Sequence, residues 1–172
     1  TTTLNNSYGS HVTVAGAGFL LNDEMDDFAA APGSANMYGR VQGEVNAIKP
    51  GKRMLSAMTP SIVVDQSGAL RLVVGTPGGP TIINAVFQTI LNVYDHGMTA
   101  TQAVAAPRIH HQWMPDTATF EQGTATPEVL SALRAMGHAI KEEGPRSQGD
   151  AHSILYDAAT RIWHWVTMLC II

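Results

Sequence analysis

With 172 residues the chain is long enough to bury a core of its own and fits a single domain over residues 1–172. Charged residues make up only 14%, against roughly 25% in an average soluble protein, while hydrophobic residues reach 45%, so polar surface is short and another polypeptide is the expected cover. A net charge of −4 with scattered signs excludes a basic stripe for nucleic acid, no apolar run approaches a membrane span, and a single cysteine, Cys170, allows no internal disulfide.

In chain order, Thr1-Thr2-Thr3-Leu4-Asn5-Asn6 is β-prone and carries neither an initiator methionine nor a signal sequence, so the expectation is a start inside a longer chain. Ser7-Tyr8-Gly9-Ser10 reads as a loop and His11-Val12-Thr13-Val14 alternates as a strand, broken at Gly16 and Gly18. Asp23, Glu24, Asp26 and Asp27 then crowd between apolar anchors. Such a cluster is poor helix filler, and its mutual repulsion calls for a cation to offset it. A solvated acidic loop, a pocket for an ammonium group and a metal site are the readings, although hard metals want more oxygen ligands than this spacing supplies.

Residues 29–52 are rich in Gly, Pro, Ser and Asn without a sustained apolar period, which predicts a long, lid-like loop with Met37-Tyr38 near its centre. Ser61 to Asp65 and Ala69 to Val74 read as a hairpin turning at Gln66-Ser67-Gly68, with Ser56 at the strand mouth. No GxSxG elbow surrounds Ser56, and a loop hydrogen bonder is its plain alternative.

Gly75-Thr76-Pro77-Gly78-Gly79-Pro80-Thr81 joins that strand to an apolar helix over Ile82 to Tyr94. Gly78 and Gly79 let the backbone take positive φ and let a substrate approach bare N–H groups. At a helix start those donors favour a carboxylate or the oxyanion of an acyl-transfer intermediate, while an ordinary strand-to-helix turn is the other reading. Neither a Gly-Lys-Ser/Thr nor a GxGxxG pattern follows, which disfavours phosphate.

Thr99 with Gln102 forms a capping box for a short helix that stops before Pro107. His110 and His111 are adjacent in an extended segment and point to opposite sides, which argues against a shared metal and for structural roles. Thr126-Pro127 caps a helix ending at Gly137, with Val129, Leu130, Leu133 and Met136 as its expected core face. His152 to Tyr156 and Arg161 to Val166 read as a final strand pair. This order suggests helices covering antiparallel sheets, an α+β fold.

Five stretches in register resemble the small subunit of γ-glutamyltranspeptidase. They are Thr3-Leu4-Asn5, Phe19 to Phe28, Lys52 to Pro60, Gly75 to Gly79 and Pro107 to Trp113, and the likeness runs from Thr1 to about Trp163. It implies the αββα sandwich of N-terminal nucleophile hydrolases, here the small-subunit half, paired as a heterodimer with a large subunit cut from the same precursor. The implied chemistry is transfer or hydrolysis of γ-glutamyl groups from glutathione and related donors through a γ-glutamyl-threonine, with no metal or organic cofactor. A periplasmic or extracellular location is the family's expectation.

Carried over residue by residue, Thr3 resembles the threonine that hydrogen-bonds the nucleophile, and Asn5, Glu24 and Asp27 resemble the holders of the donor's α-amino group. Ser56 resembles a ligand of the α-carboxylate, Gly78 and Gly79 the oxyanion-hole donors, and Tyr38 the gate of the lid loop. The nucleophilic threonine of the family lies about a hairpin's length before Thr3, so the expectation is that it precedes Thr1. Ala57 stands where many relatives have a second serine, and residues 165–172 replace the family's Asp-Pro-Arg segment. A glutaryl-type β-lactam acylase on the same scaffold and an inactive light chain acting as a binding module are the alternatives.

Overall fold

The computed structural model describes residues 8–156, and the chain divides after Ala57 into two compact units. Of the expected final strand pair, Arg161 to Val166 lies outside the described residues, as do Thr3 and Asn5 at the start.

The first unit is assembled from short pieces. The expected strand at His11 to Val14 is reduced to a bridge between Thr13 and Leu20, flanked by Val14 N–H to Phe19 O at 2.9 Å and Leu21 N–H to Val12 O at 2.8 Å. Gly16 and Gly18, at φ +78° and +71°, turn the chain between the two sides, a conformation that needs the missing Cβ. The acidic cluster does not stay a loop, because Glu24–Asp27 closes one 3₁₀ turn. Just ahead of it, the Asn22 side-chain oxygen accepts the Glu24 N–H at 3.1 Å. The stretch 29–52 is equally ordered: a second 3₁₀ turn spans Glu44–Asn46, Ala29 bridges Ala47, and Ala35 bridges Val41.

The second unit carries the regular elements. Strands β1 (Ser61–Val64) and β2 (Leu70–Gly75) form the expected antiparallel hairpin, with Ser61 opposite Val74 and Ile62 opposite Val73. One aspartate organises its turn. Asp65 Oδ1 accepts from Ser67 N–H at 2.9 Å, Ser67 Oγ at 2.6 Å and Ala69 N–H at 3.0 Å, while Oδ2 pairs with Arg71. These donors, the Ser67 hydroxyl first, hold the carboxyl down to about 2, so its support of the turn is complete above the ordinary aspartate value and is lost as the pH falls through about 2.

Beyond β2, a 3₁₀ turn at Gly79–Thr81 leads into helix α1 (Ile82–Tyr94), followed by α2 (Ala100–Ala105) with its predicted capping box complete. Strands β3 (Ile109–His110) and β4 (Ala118–Glu121), helix α3 (Pro127–Ala135), and strands β5 (Ile140–Glu143) and β6 (His152–Leu155) complete the described elements. The strands form two three-stranded sheets, ordered β1-β2-β6 and β3-β4-β5. The first is antiparallel throughout, as the element order suggests, but β5 runs parallel to β4, with α3 as the crossover between them.

Leu72 and Val74 on β2 meet Ile82 and Val86 on α1, with Val63, Ile90 and Leu155 packed around them. Leu72 is fully buried. Opposite this seam α1 leaves Ile83, Phe87 and Tyr94 exposed, so the helix is apolar on both sides as its sequence predicts. The predicted core face of α3 needs correction: Leu130 is buried, but Val129 and Met136 are 48% and 74% exposed. Nine residues on a parallel strand pair bury one stripe only, and the rest of that face stays open.

Replacing Leu72 with alanine deletes buried atoms at the point where sheet and helix meet. Leu72→Ala is expected to cost about 2–5 kcal/mol in a denaturant titration.

Candidate active site

In the 3₁₀ turn of the first unit, residues three apart eclipse, so Glu24 and Asp27 stand on one side, close enough for each to shift the other's titration. Partial burial raises the Glu24 carboxyl above its ordinary range, helped by the charge and hydrogen bond of Asp27 and by the charge of Asp23. Burial also raises Asp27; the hydrogen bond from Glu24 pulls it back, and Asp23 and Asp26 push it up again. A cation seated between Glu24 and Asp27 favours the charged form of both and offsets their mutual repulsion.

The pair is tied to the segment carrying Ser56 through a residue that the sequence does not advertise. Asn46 is 6% exposed, and each of its polar atoms is used. Its Nδ2 donates to Asp27 O at 2.7 Å and to Gln42 Oε1, and its Oδ1 accepts from Leu55 N–H at 3.2 Å. Its N–H donates to Gly43 O and its carbonyl accepts from Ala29 N–H. Lys52 Nζ adds bonds to the carbonyls of Val45 and Ala47 on either side. One side chain therefore sets the spacing between Asp27 and the residue before Ser56, which is itself exposed. A polar residue inside a Gly- and Pro-rich stretch was the only signal for Asn46, and it does not separate a hub from a loop asparagine.

Tyr38, half-buried, sits at the tip of a tight turn. Asn36 Oδ1 accepts from the N–H groups of both Tyr38 and Arg40 at 3.0 Å, and Asn36 and Arg40 close the turn through Asn36 N–H to Arg40 O at 2.9 Å. Gly39 at φ +74° lets it close.

In the second unit, Gly78 takes φ +145° and Gly79 φ +55°, both outside the range of ordinary side chains. A Cβ on Gly78 would lie 2.5 Å from Thr81 Oγ1. Pro80 has no N–H, and Thr81 N–H returns to Gly78 O at 3.1 Å, so Gly78 and Gly79 carry the turn's remaining backbone donors. His110 and His111 part as expected: His110 is buried with Nε2 3.0 Å from Gln112 Oε1, and His111 Nε2 is 2.9 Å from Asp116 Oδ1. Among the described residues no group of three or more His, Cys, Asp or Glu could hold a metal.

The family model for γ-glutamyltranspeptidase matches residues 1–167. The chain belongs to the γ-glutamyltranspeptidase family. A glutathione hydrolase proenzyme from Pseudomonas aeruginosa is 49% identical over 159 residues, which are 91% of this chain and 28% of that protein. The γ-glutamyltranspeptidase of Pseudomonas nitroreducens, solved with L-DON, is 49% identical with a TM-score of 0.81, over 92% of this chain and 82% of the solved one. That of Helicobacter pylori gives 46% and a TM-score of 0.83, over 90% of this chain and 82% of the other.

This chain thus spans little more than a quarter of the curated proenzyme it matches, but most of the matched chains in solved γ-glutamyltranspeptidases; it corresponds to the small-subunit region. Its fold is part of the α+β fold of N-terminal nucleophile hydrolases, as the resemblance implied.

Asn46→Ala removes the bonds to Asp27 O and Leu55 N–H together and leaves buried groups unsatisfied. It is expected to cost about 1–3 kcal/mol of stability, read as a lowered denaturation midpoint, and to loosen the acidic turn.

Proposed function

We propose that this chain supplies the donor-binding and oxyanion-stabilising half of an enzyme that transfers or hydrolyses γ-glutamyl groups. Its donors are glutathione and related γ-glutamyl compounds, and its partner is a large subunit cut from the same precursor. Glu24 and Asp27, with Asn5, hold the donor's α-ammonium group, and Ser56 binds its α-carboxylate. Gly78 and Gly79 donate their N–H groups to the γ-carbonyl oxygen as it becomes negative. Tyr38, on its braced turn, covers the site and excludes water.

In the first step a threonine hydroxyl, oriented by Thr3, attacks the γ-carbonyl carbon and passes its proton to the threonine's own α-amino group. The C–N bond to the leaving amine breaks as that group returns the proton to the amine nitrogen. Water or an acceptor amine then attacks the ester and frees the threonine oxygen. No metal or organic cofactor enters this scheme.

The observation that carries the reading is the pair of carboxyls that the 3₁₀ turn sets on one side at Glu24 and Asp27, both raised by burial and by neighbouring acids. It suits an ammonium group, because two crowded acids whose charges repel are both stabilised by an arriving cation. A glutaryl acylase has no use for it, since its substrates lack the amine.

Two outcomes follow in the complete processed enzyme. Asp27→Ala should raise the donor KM by a factor corresponding to about 2–5 kcal/mol while the melting temperature barely moves, because only the backbone carbonyl of Asp27 binds Asn46. Since both carboxyls titrate above their ordinary values of about 4, donor KM in the parent should rise as the pH is lowered through the range just above that. In Asp27→Asn this dependence should weaken. A donor KM indifferent to both the substitutions and the pH would remove the ammonium assignment.

A further inference from the structure

The scheme above leaves a buried polar cluster unused. Glu121, at the end of β4, is 2% exposed; its Oε2 accepts from Arg108 N–H at 2.9 Å and its Oε1 from Gln148 N–H at 2.8 Å. Arg108 and Gln148 are also 2% exposed. The Arg108 guanidinium lies 4.0 Å from Glu121 Oε2 and donates to Val104 O at 2.6 Å and to Gly149 O at 3.4 Å. Gln148 Nε2 donates to Thr119 O at 2.9 Å. The chain at 148–149 is thus gripped from one side by a carboxylate, a guanidinium and a strand.

Its other side faces the glycine turn. Thr81 Oγ1 donates to Gln148 O at 3.1 Å and also lies 3.0 Å from Gly78 O. The two backbones come close enough that Gly149 has no room for a side chain. A Cβ on Gly149, itself at φ +107°, would stand 2.6 Å from Pro77 O and 2.8 Å from Thr76 Oγ1, and one on Gly78 would stand 3.5 Å from Gly149 Cα. The turn therefore leans on the 148–149 segment, and that segment is fixed by Glu121.

We infer that Glu121 is a positioning residue for the Gly78–Gly79 turn, acting through Gln148, Gly149 and the Thr81 hydroxyl. The inference rests on the oxyanion role proposed for those glycines. An oxyanion donor is effective only where it already points at the charge that will form, and a displacement of about 1 Å can cost on the order of a hundredfold in rate. Gly78 and Gly79 have no side chains with which to brace themselves. Their bracing has to come from a neighbour, and a desolvated carboxylate bonded to two backbone N–H groups is a stiff anchor for one.

The test uses the complete processed enzyme, with active sites counted by a covalent glutamine-analogue label and kinetics read per labelled site. Thr81→Val keeps the shape and removes the hydroxyl from both Gln148 O and Gly78 O; Glu121→Gln keeps the shape, leaves the Thr81 hydroxyl in place and gives up one backbone acceptor. Both are expected to lower kcat per labelled site by about 10- to 100-fold, with donor KM within about threefold of the parent, because the ammonium and carboxylate contacts are untouched. Thr81→Ser, which keeps the hydroxyl, should restore kcat to within about threefold.

If Glu121→Gln yields no processed protein, Gln148→Leu takes its place, since it gives up the side-chain bond to Thr119 O and leaves the Thr81 hydroxyl untouched; a kcat per labelled site within about twofold of the parent there would remove Glu121's part. A Thr81→Val enzyme whose melting temperature falls while kcat per labelled site stays within about twofold would make the cluster purely structural and overturn the inference. Gly78→Ala separates the two proposals. A large loss of kcat there, with none in Thr81→Val, would leave the oxyanion role standing and remove Glu121's part in it. An unchanged kcat in Gly78→Ala would remove both.

Discussion

A carboxylate taken out of water must find donors, and Glu121 finds them in the backbone of two segments distant in sequence. Burying the charge without partners would cost several kcal/mol, so the chain around it is constrained to bring Arg108 N–H and Gln148 N–H within bonding distance. Much of the second unit is arranged to suit. The end of α2 accepts the Arg108 guanidinium at Val104 O, β4 ends at Glu121 itself, and the segment that leads into β6 is carried up against the glycine turn after β2. The hydrophobic seam of Leu72, Val74, Ile82 and Val86 holds helix to sheet. It does not fix the loops at their ends, and the polar cluster does.

The first unit follows the same rule on a smaller scale. With few long elements it has little apolar area to bury, and Asn46 takes over the organising role with five hydrogen bonds to surrounding residues. Side-chain amides suit this task because they donate twice and accept on the same group without carrying charge. The acidic turn at Glu24–Asp27 can then keep its carboxyls together despite their repulsion, since the backbone beneath them is held from elsewhere.

What could be read from sequence was mostly local. The β1–β2 hairpin follows from Asp65 to Gly68, the short α2 from the pairing of Thr99 with Gln102, and α3 from Thr126-Pro127, each a signal contained within a few residues. The glycine turn was legible for the same reason, and the acidic cluster pointed to a cation even though its 3₁₀ form was not foreseen. Strand β5 was not legible: Ile140-Lys141-Glu142-Glu143 has one apolar residue in four and no alternation, and only its parallel pairing with β4 makes it a strand. Asn46 and Glu121 escaped for a related reason. Their importance lies in partners up to 27 residues away, as between Glu121 and Gln148, and no local pattern marks a residue for that. The family resemblance supplied roles for single positions but not for the residues that hold those positions still.

The 3₁₀ form of the acidic turn makes its length as much a part of the site as its side chains. In a turn of three residues, Glu24 and Asp27 face the same way because two residues separate them, whatever those two are. Met25 is largely exposed and free to vary on this account. Inserting or deleting a single residue between Glu24 and Asp27 would swing one carboxyl about a third of a revolution from the other and dissolve the pair without changing any of its chemistry. Among natural or engineered versions of this chain, point changes inside the turn should therefore be common, and changes in its length rare.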